Sequence, residues 1–182
     1  MMIEPLFDPY DESTWTKEID TVNGRFFEAY KKKYVRKSDN SVSLKYYGLV
    51  GVRVPNTIAY CLMCIHLYSE SEKIPYWKER IKYYAQTMAS IRIRRCDHKT
   101  RVRKTRIMFD GAKDDLLGYM NFVVHIVNNF SKIGEMSPEK QVMSCEECVE
   151  RYGEKICKAL DAIKKCIREQ DVDGIEKIVN EY

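Results

Sequence analysis

Val142, Cys145, Val149, Tyr152, Ile156, Leu160, Ile163 and Ile167 recur at intervals of three and four without a break. That spacing lines all eight along one stripe of an α-helix and would scatter them over both faces of a strand, so it commits this part of the chain to an amphipathic helix. Ser137 before Pro138 supplies a start signal, and Gly153 is the one weak position. The same rule reads Trp15, Ile19, Val22, Phe26 and Tyr30 as a helix from Glu12 to Arg36, with Asp11 or Ser13 as its cap. Pro55, Asn56 and Thr57 open a helix to Tyr68 that is apolar nearly all round and therefore internal. Behind Pro75, the residues Trp77, Ile81, Tyr84, Met88 and Ile91 form another stripe. Asp114 and Asp115 begin "DDLLGYMNFVVHIVNNF", where carboxylates suit the positive end of a helix dipole, and Ile175, Ile178 and Val179 mark a short last helix from Val172 to Asn180.

Six helices with almost no strand signal predict an all-α fold, a compact single-domain bundle over 11–182 behind a flexible segment over 1–10. The 182 residues, 45% of them apolar, suffice for one core. The stretches "KSDNS" and "VSLKYYGLVGVRVP" read as loop or a short extended piece.

Charge is distributed unevenly. Met1 to Phe109 holds 21 basic and 12 acidic residues, whereas Asp110 to Tyr182 holds 10 and 15. The cause is "SIRIRRCDHKTRVRKTRIMF", Ser90 to Phe109, in which Arg92, Arg94, Arg95, Lys99, Arg101, Arg103, Lys104 and Arg106 crowd against the single acid Asp97. Without these nine residues the chain would carry 23 basic and 26 acidic side chains, so the stretch supplies all of the positive excess. Its geometry is open: Arg101, Arg103, Lys104 and Arg106 read as a helix, a loop, or the return limb of a hairpin with Ile91 and Ile93, because the helical stripe ending at Ile91 competes with the alternation of "IRIR" and "RVRKTRI", and a short basic hairpin or loop near 91–107 is one expectation.

Crowded like charges repel, and an anionic partner relieves that repulsion. Six of the eight are arginine, whose guanidinium forks onto phosphate oxygens and stacks on bases, where lysine would suffice for solubility. A second cluster, Lys31, Lys32, Lys33, Arg36 and Lys37 with Tyr30 and Tyr34, extends the same surface if the fold brings the two together. Tyr46, Tyr47, Tyr83 and Tyr84 are stacking candidates, although Tyr84 belongs to a core stripe. The chain has no zinc-finger spacing, RNP-like signature or helix-turn-helix, so recognition is of shape and backbone. The competing readings are a solvated face, a helix C-terminus, a nuclear localisation signal, or a dock for an acidic protein or anionic lipid.

The opening "MMIEPLFDPYDE" lacks the basic start and apolar run of a secretory signal, and the uncharged run Val54–Ser69 falls short of the ~18 residues of a membrane span. The expectation is a cytoplasmic or nuclear protein without a membrane partner, its odd number of cysteines reduced. Cys61 with Cys64 and Cys145 with Cys148 form C-x-x-C pairs, near His66 in the first case, but both fall within helices rather than knuckles. They read as core thiols, and neither metal nor cofactor is predicted. Gly48 and Gly51 lack the Lys-Ser/Thr of a phosphate loop, and His125 reads as a core residue.

Arg92 and His98, five residues apart in between, resemble the R-x(4–6)-H signature of the helical HEPN ribonucleases. The resemblance implies that Arg92 and His98 act on a phosphodiester. Lacking any further constellation for catalysis, the chain is expected to be a non-enzymatic, sequence-nonspecific nucleic-acid-binding protein that favours RNA, in the style of a viral accessory or nucleocapsid-like protein. The stripe from Val142 to Ile167 and the opposite charges of the two halves predict a homo-oligomer. The alternatives are a helical interaction module with an apolar groove around Leu116 to Phe130, and a HEPN-like ribonuclease.

Overall fold

Ser144 accepts a hydrogen bond from the Glu147 amide at 3.1 Å, and with Glu146 and Glu147 in the first turn this caps the longest helix, Cys145–Glu169. Gln170 closes it in the left-handed conformation, φ 59°. The computed structural model that shows this describes residues 19–51, 53–69, 74–110 and 141–182. In chain order the elements are α1 (Ile19–Tyr34), β1 (Ser41–Val42), α2 (Leu44–Gly51), α3 (Arg53–Leu67), α4 (Ile74–Ser90), β2 (Arg92–Ile93), α5 (His98–Asp110), α6 (Cys145–Glu169) and α7 (Val172–Glu181). Among the described residues the fold is all-α apart from one two-residue pairing and an isolated bridge between Arg36 and Ser41. The segment 1–10, the helix over 114–130 with His125 and its apolar groove, and the start signal at Ser137 lie outside the described residues.

α3 is the centre. Ile58, Ala59, Cys61, Leu62, Met63, Cys64 and Leu67 are all fully buried, as an apolar helix with no polar face requires. α4 and α6 flank it, α7 packs on both of these, and α5 lies against α6 and α2. α2 and α3 together, Leu44–Leu67, are long and apolar enough to cross a membrane by length and composition, and 75% of that stretch is buried inside the protein.

The stripe of α4 is buried throughout, from Trp77 through Ile81, Tyr84 and Met88 to Ile91. On α6 the buried face is broader than the predicted one: Cys148, Cys157 and Cys166 join Ile156, Leu160, Ile163 and Ile167, whereas Val142 precedes the helix and is exposed. Residues Leu44 to Gly51 correct the loop expectation. They form α2, and the missing side chain of Gly51 leaves room there for the Met108 thioether of α5, which a Cβ would meet.

The basic hairpin is also corrected. α4 ends at Ser90, and Ile91 and Ile93 turn inward while Arg92 points out, the period of a strand. The partner of β2 is β1, in parallel, with Ser41 opposite Arg92 and Val42 opposite Ile93. Residues His98–Asp110 are helix α5, which takes the helical alternative for Arg101, Arg103, Lys104 and Arg106 and leaves no return limb. Asp97 caps it by accepting from the Thr100 amide at 2.7 Å.

Candidate nucleic-acid interface

The basic residues of 92–106 sort by their position in these elements. α5 buries Arg101, Thr105 and Phe109, one turn apart, and turns Lys99, Arg103, Lys104 and Arg106 to solvent, with Ile107 among them at 71% exposure. Arg95 is exposed in the turn before α5, in the left-handed conformation with φ 56°. Arg95, Lys99, Arg103, Lys104 and Arg106 make no ion pair or hydrogen bond through their side chains among the described residues. Asp97 is occupied with the α5 cap, whose amide holds its carboxyl below the ordinary carboxylate range.

Arg101 departs from the predicted site. It is 3% exposed, and its guanidinium donates to the carbonyls of Ile91 (2.7 Å), Ile167 (3.1 Å), Met88 (3.2 Å) and Arg168 (3.2 Å), and to the Tyr47 hydroxyl (3.4 Å). Those carbonyls belong to the C-terminal ends of α4 and α6, where the helix dipoles are negative. The charge is thus held by two helix ends and cannot reach a phosphate. Arg94 is half-buried and donates to the Ser41 carbonyl at 3.2 Å, which ties it to β1.

The second cluster is brought to the first. The β1–β2 pairing places the turn after α1 beside Arg92, and Asp39 in that turn contacts both sides: Arg92 Nη2 at 2.9 Å and Arg36 Nη1 at 3.7 Å. The Ser41 hydroxyl donates to Asp39 at 2.5 Å and, ahead of the two guanidiniums, holds its carboxyl below the ordinary range. Both arginines remain more than half exposed.

Lys31 pairs with Glu28 at 3.1 Å and donates to the Tyr83 hydroxyl at 3.1 Å, while Lys32 and Lys33 are exposed. Tyr34 and Tyr46 stack at 4.1 Å between ring centroids, with Lys33 over the first and Lys45 over the second. Tyr47 and Tyr84 are buried and unavailable to a base. Tyr46 is therefore the one of the four predicted stackers that shares a half-exposed ring pair, and Lys45 and Tyr34 are its unforeseen neighbours. Sequence reasoning also missed Asp39, because an acid inside a turn signal carries no mark of two distant arginines.

All seven cysteines are free, six buried and Cys96 half-exposed. No group of three or more His, Cys, Asp or Glu among the described residues is arranged to hold a metal ion. His66 is half-buried, bonded through Nε2 to the Tyr182 hydroxyl and stacked on Tyr152 at 4.0 Å. Arg92 lies on β2 and His98 opens α5; no hydrogen bond joins them among the described residues. Comparison with protein-family models, with curated proteins and with solved structures finds no match to this chain.

Proposed function

We propose that this protein is a non-enzymatic nucleic-acid-binding protein that contacts phosphates without reading sequence and favours RNA. The reading is carried by one observation: Arg95, Lys99, Arg103, Lys104 and Arg106 project into solvent with no carboxylate in ion-pair contact among the described residues, Asp97 acting on Arg103 only at longer range. Exposed cations kept this close repel one another, and a run of phosphates is the partner that neutralises several at once while releasing condensed counterions. Arg92 and Arg36 extend the face past Asp39, and the Tyr34–Tyr46 pair offers a ring surface beside lysines. RNA is favoured because a chain with seven free thiols suits the reducing cytoplasm.

The α6 stripe that prompted a homo-oligomer is largely buried against the chain's own core. Association, as we propose it, would be head to tail along a polymer, through the oppositely charged halves.

The test is a mobility shift with single-stranded and duplex RNA and DNA at two salt concentrations. Affinity should fall linearly on a log–log salt plot, and Arg103→Glu with Lys104→Glu and Arg106→Glu should abolish the shift at the higher salt. Arg101 is left intact because it holds the fold. An unchanged shift in the triple variant rejects the reading.

A further inference from the structure

Beside the Asp39 junction, α1 and α4 bound a cleft of about 620 Å³. Its basic wall is Lys31, Lys32 and Lys37, and its opposite wall is Thr87 and Ser90 of α4. Glu28, also on the lining, pairs with Lys31. Lys32 and Lys37 have no such partner among the described residues, so two positive charges remain uncompensated. The hydroxyls of Thr87 and Ser90 likewise make no hydrogen bond among the described residues. The Asn40 amide donates to the Ser90 carbonyl at 2.7 Å, which joins the two walls at one end.

We propose that this cleft binds a terminal phosphate monoester of a nucleotide, on a strand end or on a free mononucleotide. Charge selects the monoester: it carries about −1.5 to −2 near neutral pH and matches the two unpaired lysines, whereas an internal diester carries a single charge. Thr87 and Ser90 on the α4 wall add hydroxyl-bearing residues that can donate to phosphate oxygens. The volume lies within the range of small-ligand pockets and admits one nucleoside beside its phosphate. The rest of the face would then receive the strand behind its end, so the strand as source rests on the nucleic-acid reading, while the cleft itself does not.

Binding is measured by fluorescence anisotropy for one short oligoribonucleotide with either a 5′-phosphate or a 5′-hydroxyl. Adenosine monophosphate and inorganic phosphate are titrated separately by calorimetry. The phosphorylated strand should bind about tenfold tighter than its hydroxyl twin, the value of one charge-assisted contact set. Lys32→Ala with Lys37→Ala should remove that ratio, whereas Arg103→Glu with Arg106→Glu should weaken both strands and preserve it. Should neither strand bind while adenosine monophosphate does, and loses binding in the lysine variant, the cleft stands and the nucleic-acid face falls. Equal affinity for the two strand ends, together with no binding of adenosine monophosphate, overturns the proposal.

Discussion

Arg101 Nη1 donates to the Ile91 carbonyl at 2.7 Å, so a residue of α5 closes the C-terminal end of α4. The same guanidinium reaches the last turn of α6 through Ile167 and Arg168. Three helices meet on one cation, with their terminal carbonyls in place of a carboxylate.

Arg101→Ala should therefore destabilise the fold by about 3 kcal/mol or more, since it strands several buried carbonyls at once. Arg106→Ala, fully outside the core, should stay within about 0.5 kcal/mol. Urea unfolding monitored by circular dichroism measures both. Similar midpoints for the two variants would remove Arg101 from its structural role.

Acid should loosen the docking of α7. Burial, and after it the Lys155 ammonium, push the His66 imidazole down to about 4. An unfolded chain has this group near its ordinary value of about 6.5, so between those values the unfolded state binds the extra proton. The stabilisation is complete above that window and is lost as pH falls through it. Thermal midpoints recorded at about pH 7 and about pH 5 should drop more in the parent than in His66→Gln, which has no proton to take up.

Asp39 restrains the two basic segments that it joins. Asp39→Asn should release Arg36 and Arg92 and remove one repelling charge, raising RNA affinity by up to about fivefold and steepening the salt slope by about one unit. Stability should change little, because the contacts are at the surface. Anisotropy titrations over a salt series read the first effect, and a weaker RNA affinity in the variant would count against a shared face.

Thiol chemistry should be confined to one position. Six cysteines are buried, and burial raises the Cys145 and Cys157 thiols to about 11 and Cys148 to about 12, which starves them of the reactive thiolate. Titration of the native protein with an aromatic disulfide reagent near neutral pH should label Cys96 first and alone, with the other six reacting after denaturation. Rapid labelling of several thiols in the native state would contradict this packing.

The helices were legible where apolar side chains carry the period. Trp77, Ile81, Tyr84, Met88 and Ile91 are each buried as their spacing requires, and the alternation of Ile91, Arg92 and Ile93 does encode a strand. Its partner was not legible, because Ser41 and Val42 lie far back in the chain and half of that pair is polar. α2 escaped notice for a related reason: two glycines weaken its local helix preference, and close packing against Met108 overrides it. Arg101 looked like its neighbours because composition has no phase. Only once α5 is known to bury Thr105 and Phe109 does the residue one turn earlier fall inside.

The β1–β2 pairing also orders assembly in time. Arg92 and Asp39 are 53 residues apart in sequence, and the loop between them contains α2, α3 and α4. Closing a loop of that length costs chain entropy of about 3 kcal/mol, more than two ladder residues can return, so the clasp shuts after the intervening helices have packed. The juxtaposition of Arg36 with Arg92 therefore belongs to the finished molecule, and no peptide excised from either segment can reproduce it.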